Sequence, residues 1–290
     1  MQRRSFLAAI SCVPTLASMT SAAHVMPHAA STGNPITPGR SIGIAMGGGS
    51  LHGFAHIGVL KAFAEKKIKF QFIAGTSAGA FVGALAAAQL PYGEIDAITR
   101  QIKWPGIFDL SLSGMGLVKN SNLRMLIDNA LGDRQIERLP IAFGAIATDV
   151  ATGARIVIRK GPAGAAVGAS CAIPVLFEPV RIDGRDLVDG GLTEPVPVIA
   201  VREMGADIVI GVDVAYRPDE EKFQGLYGVA FQTMHIMANA LIKAQIHHAD
   251  VSIQMNLHAL ITNGNFQDQL VAAGYAATMR AWPKLAPLLA

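Results

Sequence analysis

The sequence predicts an α/β fold with a mainly parallel central sheet, and three stretches carry that expectation. Residues 41–46, Ser-Ile-Gly-Ile-Ala-Met, form a short apolar run that enters Gly47-Gly48-Gly49-Ser50-Leu51-His52-Gly53. A helical pattern follows, with Phe54, Ile57, Leu60 and Ala64 on one face and Lys61 and Glu65 off it. A second apolar run ends at Ile73, turns through Gly75-Thr76-Ser77-Ala78-Gly79 and continues as a small-residue helical pattern to Ala88. Strand, loop, helix and strand in that order make a βαβ unit, for which a right-handed crossover is expected. The third stretch, residues 206–214, holds Ile208-Val209-Ile210-Gly211-Val212, a continuous apolar run of the type buried on both faces of a parallel sheet.

Composition fits such a fold. Of 290 residues, 51% are hydrophobic and 16% charged, enough for one large domain or two small ones with a substantial core. The net charge of +3 is mild, and no Lys/Arg cluster interleaved with aromatics appears, so nucleic acid is not an expected partner. Residues 1–30 read as an export signal. Arg3-Arg4-Ser5-Phe6-Leu7 opens it in the twin-arginine manner, the apolar run from Phe6 to Met19 is too short to span a bilayer, and small residues follow at Thr20-Ser21-Ala22-Ala23. The expectation is an exported, periplasmic protein, cleaved after Ala22 or near Ala29, with an uncleaved membrane-associated form as the alternative. A lipoprotein site at Cys12 fits less well, because Ala9 stands where Leu is usual. Cleavage would leave Cys171 alone, without an internal disulfide.

Residues 31–41 are rich in Ser, Thr, Gly and Pro and read as a linker; 42–213 then form a catalytic domain and 214–290 a C-terminal extension of the same domain. After the elbow helix, 94–103 is expected as a short helix. Residues 104–119 are irregular and apolar, a loop over the core or a wall or lid for an acyl chain. A helix is expected over 122–131, with Ser121 as N-cap and Gly132 as its stop. Strands are expected over 141–148 and 155–158, with a small-residue helix over 161–170. Residues 182–187 hold the turn Asp183-Gly184, and Val188 leads into Asp189-Gly190-Gly191. Residues 198–204 and 223–249 read as helices, 251–257 as a last strand and 267–282 as a last helix.

The chemistry centres on Ser77. A serine flanked two residues either side by Gly75 and Gly79, between a strand and a helix, has the layout of a nucleophile elbow. A side chain at position 75 or 79 would collide with the neighbouring strand or helix, and the following helix points its positive end at the hydroxyl. The Gly-rich loop fails as a dinucleotide fingerprint, since the sixth residue from Gly47 is His52, and as a P-loop, since Phe54 follows Gly53. What remains is an oxyanion hole built on N–H groups at Gly47, Gly48, Gly49 and Ser50. The base is less obvious. His56 lies on a helix face, and His235, His247 and His248 fall in a long helical stretch; with His52 and His258 they complete the imidazoles after the leader. None of the four on helices stands in a loop after a strand. Asp189 does, with Gly190 and Gly191 freeing the backbone around it.

Taken together, Gly47 through Leu60, the elbow Gly75-Thr76-Ser77-Ala78-Gly79, Ala147-Thr148-Asp149, Ala169-Ser170-Cys171-Ala172-Ile173-Pro174 and Val188-Asp189-Gly190-Gly191 resemble, in order, the motifs of the patatin-like phospholipase family of bacterial type. The resemblance covers roughly 42–213. It implies a three-layer α/β/α sandwich and a Ser77–Asp189 dyad without histidine. It also implies oxyanion N–H groups at Gly48, Gly49 and Ser50, and hydrolysis of acyl esters of phospholipids, lysophospholipids or neutral lipids without metal or cofactor. Contact with a membrane surface would be transient. The alternatives are an esterase or thioesterase for small acyl substrates and a catalytically silent lipid- or membrane-binding module. Three positions depart from the family pattern: His52 where Arg or Lys is usual, Ser50 where Gly is frequent, and Glu194 where Asn is common.

Overall fold

The computed structural model describes residues 40–102, 109–110, 115–217, 225–260 and 265–289. The export-type leader, nearly all of the linker and most of the expected wall or lid at 104–119 lie outside the described residues. Strand β1 (Ile42–Met46) is followed by helix α1 (Phe54–Glu65), β2 (Phe72–Thr76), α2 (Ala78–Ala87) and α3 (Tyr92–Thr99). Next come the short antiparallel pair β3 (Asp109–Leu110) and β4 (Val118–Lys119), then α4 (Ser121–Leu131), β5 (Ala142–Asp149), β6 (Arg155–Ile158) and α5 (Ala163–Ser170). The chain continues through the hairpin of β7 (Val180–Ile182) and β8 (Arg185–Asp189), then α6 (Val198–Glu203), β9 (Ile208–Asp213), α7 (Gly225–Gln245), β10 (Val251–Gln254) and α8 (Phe266–Leu289).

The main sheet runs β10-β9-β1-β2-β5-β8-β7, with β6 pairing β5 as well. From β10 to β5 every pairing is parallel, while β6, β8 and β7 join antiparallel. Every residue of β9 is buried, as its unbroken apolar run requires of a strand flanked by β1 and β10. Alternate strand residues feed two apolar layers. Ile44, Met46, Ile73, Phe143 and Ile210 pack under α1, α2, α4, α5 and α8. Ala45, Ala74, Ile146 and Val209 face α6 and, through Ile242, the end of α7. The result is the three-layer α/β/α sandwich.

The pairing register places the site. Residues Phe72 to Thr76 of β2 lie opposite Ala142 to Ile146 of β5, and Ala147, the next residue, lies opposite Asp189 of β8. The other edge of β5 is taken by β6, which covers Ala145 to Thr148. So β2 and β8 share one edge of β5 and meet there end to end, because β8 runs antiparallel. Thr76 ends β2 opposite Ile146 and Asp189 ends β8 opposite Ala147, so Ser77, the residue after Thr76, leaves the sheet beside Asp189.

Boundaries differ from the sequence expectation in physically clear ways. Helix α4 starts one residue early, with Asn120 as its N-cap; the Asn120 amide instead donates to the Gly168 carbonyl at 2.7 Å. Gly132 ends α4 in the left-handed conformation. Helix α8 passes Trp282 and continues through Pro283 and Pro287 to Leu289. Leu285 is fully buried and Trp282, Leu288 and Leu289 pack on the core, burial that outweighs the backbone hydrogen bonds the prolines cannot donate.

Candidate active site

Ser77 joins β2 to α2 with φ 53° and ψ −122°, a backbone conformation a side chain rarely adopts. Such a residue costs on the order of 1–3 kcal/mol and persists only where its surroundings over-determine it. Here they do. Its N–H donates to Ser170 Oγ at 2.9 Å, and its carbonyl accepts from Ala80 N at 2.8 Å and Phe81 N at 3.1 Å. Thr76 Oγ1 donates to the Glu194 carbonyl at 2.8 Å. The flanking glycines are sterically required. A Cβ on Gly75 would stand 2.3 Å from the Gly79 carbonyl oxygen, and one on Gly79 would stand 2.0 Å from that of Met46. The elbow geometry expected from Gly75-Thr76-Ser77-Ala78-Gly79 is therefore present.

Asp189 ends β8 and is 7% exposed. Its Oδ1 accepts the Gly191 N–H at 2.7 Å, and its own N–H donates to the Ala172 carbonyl at 2.9 Å. Gly190 lies tightly against the Ile146 carbonyl. Burial pushes the Asp189 carboxyl up to about 6, against hydrogen bonding by the Ser77 hydroxyl and the Gly191 N–H, which favour the ionised form. Above that pH the group is a carboxylate beside a serine hydroxyl, and a stronger base than an exposed aspartate.

The Gly-rich loop abuts the elbow; a Cβ on Gly48 would lie 3.3 Å from the Ser77 Cβ. Its four expected donors are not equivalent. The Gly47 N–H donates to the Val212 carbonyl of β9 and the Gly48 N–H to the Pro195 carbonyl ahead of α6, both at 2.9 Å, which anchors the loop and removes both groups from an oxyanion hole. Among the described residues, the N–H groups of Gly49 and Ser50 have no partner, and Ser50 sits at φ 49°. The sequence pattern of consecutive glycines could not reveal which N–H groups the sheet consumes.

The buried imidazoles hold this loop. His56 Nε2 donates to the Gly47 carbonyl at 2.8 Å, and burial lowers its pKa to about 4, so the ring is neutral. His52 Nδ1 lies 3.0 Å from the Val214 carbonyl and its ring stacks on Tyr216, so the residue that replaces a family cation still ties the loop to the end of β9. Glu194 accepts the Ile199 and Ala200 N–H groups at 2.8 and 3.0 Å and pairs with Arg155 at 2.8 Å, fixing the start of α6. His247 and His248 lie against each other with their rings tilted, in a turn after α7.

Two cavities meet at Ser77, sharing Ser50, Ser77 and Ile173 in their walls. The larger, about 710 Å³, is apolar, with Phe54, Phe81, Val82, Leu123, Phe177 and Phe266 along it. The smaller, about 310 Å³, contains Asp189 and is closed by Tyr216, Phe231, Met234 and His235. Both are of the size that small-molecule sites occupy. Three residues around Ser77 and Asp189 had no assigned role in the sequence. Ser170 and Cys171 stood inside a motif but without a function; Ser170 clamps the elbow, and burial beside Asp189 raises the Cys171 thiol well above its usual range, leaving it an inert wall. His235 packs against the Tyr216 ring at a tilt, and burial lowers its pKa. Among the described residues no group of three His, Cys, Asp or Glu side chains is arranged to hold a metal ion.

Comparison with known proteins adds a lineage to this geometry. The patatin-like phospholipase family model matches residues 44–202. An NTE family protein of Mycobacterium tuberculosis is 35% identical over 179 residues, which cover 60% of this chain and 49% of that one. Patatin-like phospholipase domain-containing protein 7 of Rattus norvegicus is 35% identical over 198 residues, covering 64% of this chain and 14% of the relative. The chain thus spans half or less of the length of the curated relatives it matches. Among solved structures, VipD from Legionella pneumophila superposes with a TM-score of 0.54 at 14% identity, over 85% of this chain and 67% of VipD, a likeness of fold.

Proposed function

Since the chain belongs to the patatin-like phospholipase family, we propose that it hydrolyses acyl esters of lipids through Ser77 and Asp189. In this reading the Ser77 hydroxyl attacks the ester carbonyl carbon while Asp189 takes its proton. The carbonyl oxygen becomes an oxyanion facing the N–H groups of Gly49 and Ser50 at the positive end of α2. As the oxyanion collapses, the bond to the leaving alcohol breaks, and Asp189 returns the proton to that alcohol. The acyl group stays on Ser77. Water, deprotonated by the same carboxylate, then attacks the acyl-enzyme and releases the fatty acid and the free hydroxyl. The larger apolar cavity holds the acyl chain, and the smaller one holds the alcohol portion.

The observation that carries this reading is the register of β2 and β8, whose ends lie opposite Ile146 and Ala147, adjacent residues of β5, and so bring a strained serine beside a buried carboxylate. The test is turnover of p-nitrophenyl esters of graded chain length and of a lysophospholipid, beside Ser77→Ala and Asp189→Asn. A fluorophosphonate should label Ser77 in the wild type, and both variants should lose on the order of 10³-fold or more in kcat. Activity confined to short esters would make the protein a small-acyl esterase or thioesterase. A wild type without activity would make it a binding module, and activity that survives Ser77→Ala would overturn the mechanism. The proposal includes a periplasmic location, resting on the Arg3-Arg4 leader; a fusion of residues 1–30 to a reporter that requires export of a folded protein checks it.

A further inference from the structure

Helix α7 presents two apolar faces. One is the wall of the smaller cavity, where Phe231, Met234, His235 and Ala238 stand across from Ser77 and Asp189. The other faces solvent: Leu226 is 79% exposed, Val229 56%, Ile236 54% and Met237 51%. These four, with Thr233 and Ala240, recur at helical spacing as one stripe along the helix. From Gly225 to Ile242 the helix contains no Asp, Glu, Lys or Arg, and Lys243 is its first charge. An outer helix normally carries charge on its solvent face, so this stripe is built for something other than water.

We propose that the outer stripe of α7 seats the protein on the surface of a zwitterionic lipid assembly, with the catalytic cavity directly behind it. This rests on the lipid acyl hydrolase reading of the site for its choice of surface. Three observations select a lipid surface. No helix among the described residues is long and apolar enough to cross a membrane, so α7 lies in the interface and does not span it. Its exposed apolar side chains offer on the order of 500 Å², the size of a typical monomer's largest and often functional patch (about 300–600 Å²) but short of the ~800 Å² per partner of a stable protein interface. The uncharged stripe matches an uncharged interface, with no cation row to demand anionic lipid. An interfacial helix sinks about 5–10 Å into the headgroup boundary, and a helix is about 10 Å across. A lipid ester leaving the bilayer beside α7 therefore needs to travel only about one helix width to reach Ser77.

The experiment uses the full chain, phosphatidylcholine vesicles and a soluble short-chain ester. Wild-type protein should float with the vesicles, with little dependence on salt. Val229→Glu/Ile236→Glu should lower vesicle partitioning and vesicle hydrolysis about a hundredfold, while turnover of p-nitrophenyl butyrate stays within about twofold. Should the double variant lose its thermal transition, Ile236→Ser alone decides, with an expected loss of about tenfold. Wild type that does not float, or variants that float equally well, would overturn the proposal. So would a wild-type dimer that the substitutions dissociate without changing flotation, since the stripe would then belong to a second copy. If wild type floats, the variant does not, and neither hydrolyses any ester, the docking surface stands and the hydrolase reading falls.

Discussion

At the residue scale, two buried groups titrate against each other. Asp189 is raised to about 6 and His56 is lowered to about 4, both chiefly by desolvation. In the proposed mechanism turnover needs the Asp189 carboxylate, so kcat should fall about tenfold per pH unit below a limb near 6, and a pH–rate profile reads it. Stability follows from proton counts. Between about pH 4 and 6 the folded Asp189 binds more protons than the unfolded one, so its contribution strengthens the fold as pH drops. Over the same range the unfolded His56 binds more protons than the folded one, so its contribution weakens the fold as pH drops. The two slopes oppose each other. Asp189→Asn removes one and should expose the other, a loss of about 1.4 kcal/mol per pH unit between pH 6 and 4 in urea titrations. At pH 7.5 the same variant should be more stable than wild type by about 3 kcal/mol, because an ionised buried carboxylate is gone while the Gly191 N–H keeps an acceptor. Ser77 was legible in the sequence because its two glycines are a steric signature. The division of labour in the Gly-rich loop was not, since whether Gly48 or Gly49 has a free N–H depends on Pro195, far away in the chain.

At the element scale, α1 and α8 cross at van der Waals contact through glycine. A Cβ on Gly58 would stand 1.9 Å from the Val271 carbonyl oxygen, and one on Gly274 at 1.9 Å from that of Ala55. Gly58→Ala should therefore cost about 3 kcal/mol by wedging the helices apart. Gly93→Ala in α3, where a Cβ meets nothing within 4 Å, should gain about 0.5–1 kcal/mol. Thermal melts of the pair separate crowding from helix propensity. Helix periodicity reveals an apolar face but not its partner, so Gly58 read as an ordinary helix residue. The continuous run of β9 was decisive in the sequence because two-sided burial leaves it no polar position. Proline misplaced the end of α8, for the local penalty at Pro283 is smaller than the burial of Leu285 and its neighbours.

At the scale of the whole molecule, the proposed placement of the acyl chain in the larger of the two cavities flanking Ser77 makes substrate length a property of packing between layers. Leu123 reaches the larger cavity from α4, and Leu123→Trp should shorten the preferred acyl chain, lowering kcat/KM on long-chain p-nitrophenyl esters while leaving the acetate ester unchanged. The parallel half of the sheet was readable from the βαβ pattern, but the antiparallel arrival of β8 was not, because nothing local distinguishes a strand running up from one running down. That direction makes the carboxylate's address a matter of counting. The β7–β8 hairpin enters from its free end at Asp183-Gly184, and side chains along β8 alternate between the two layers. Two extra residues at that tip would lengthen an overhang and leave turnover intact. One extra residue between Asp186 and Val188 would rotate the acid into the opposite layer and abolish the proposed turnover, although every residue of the motif would still be there to read.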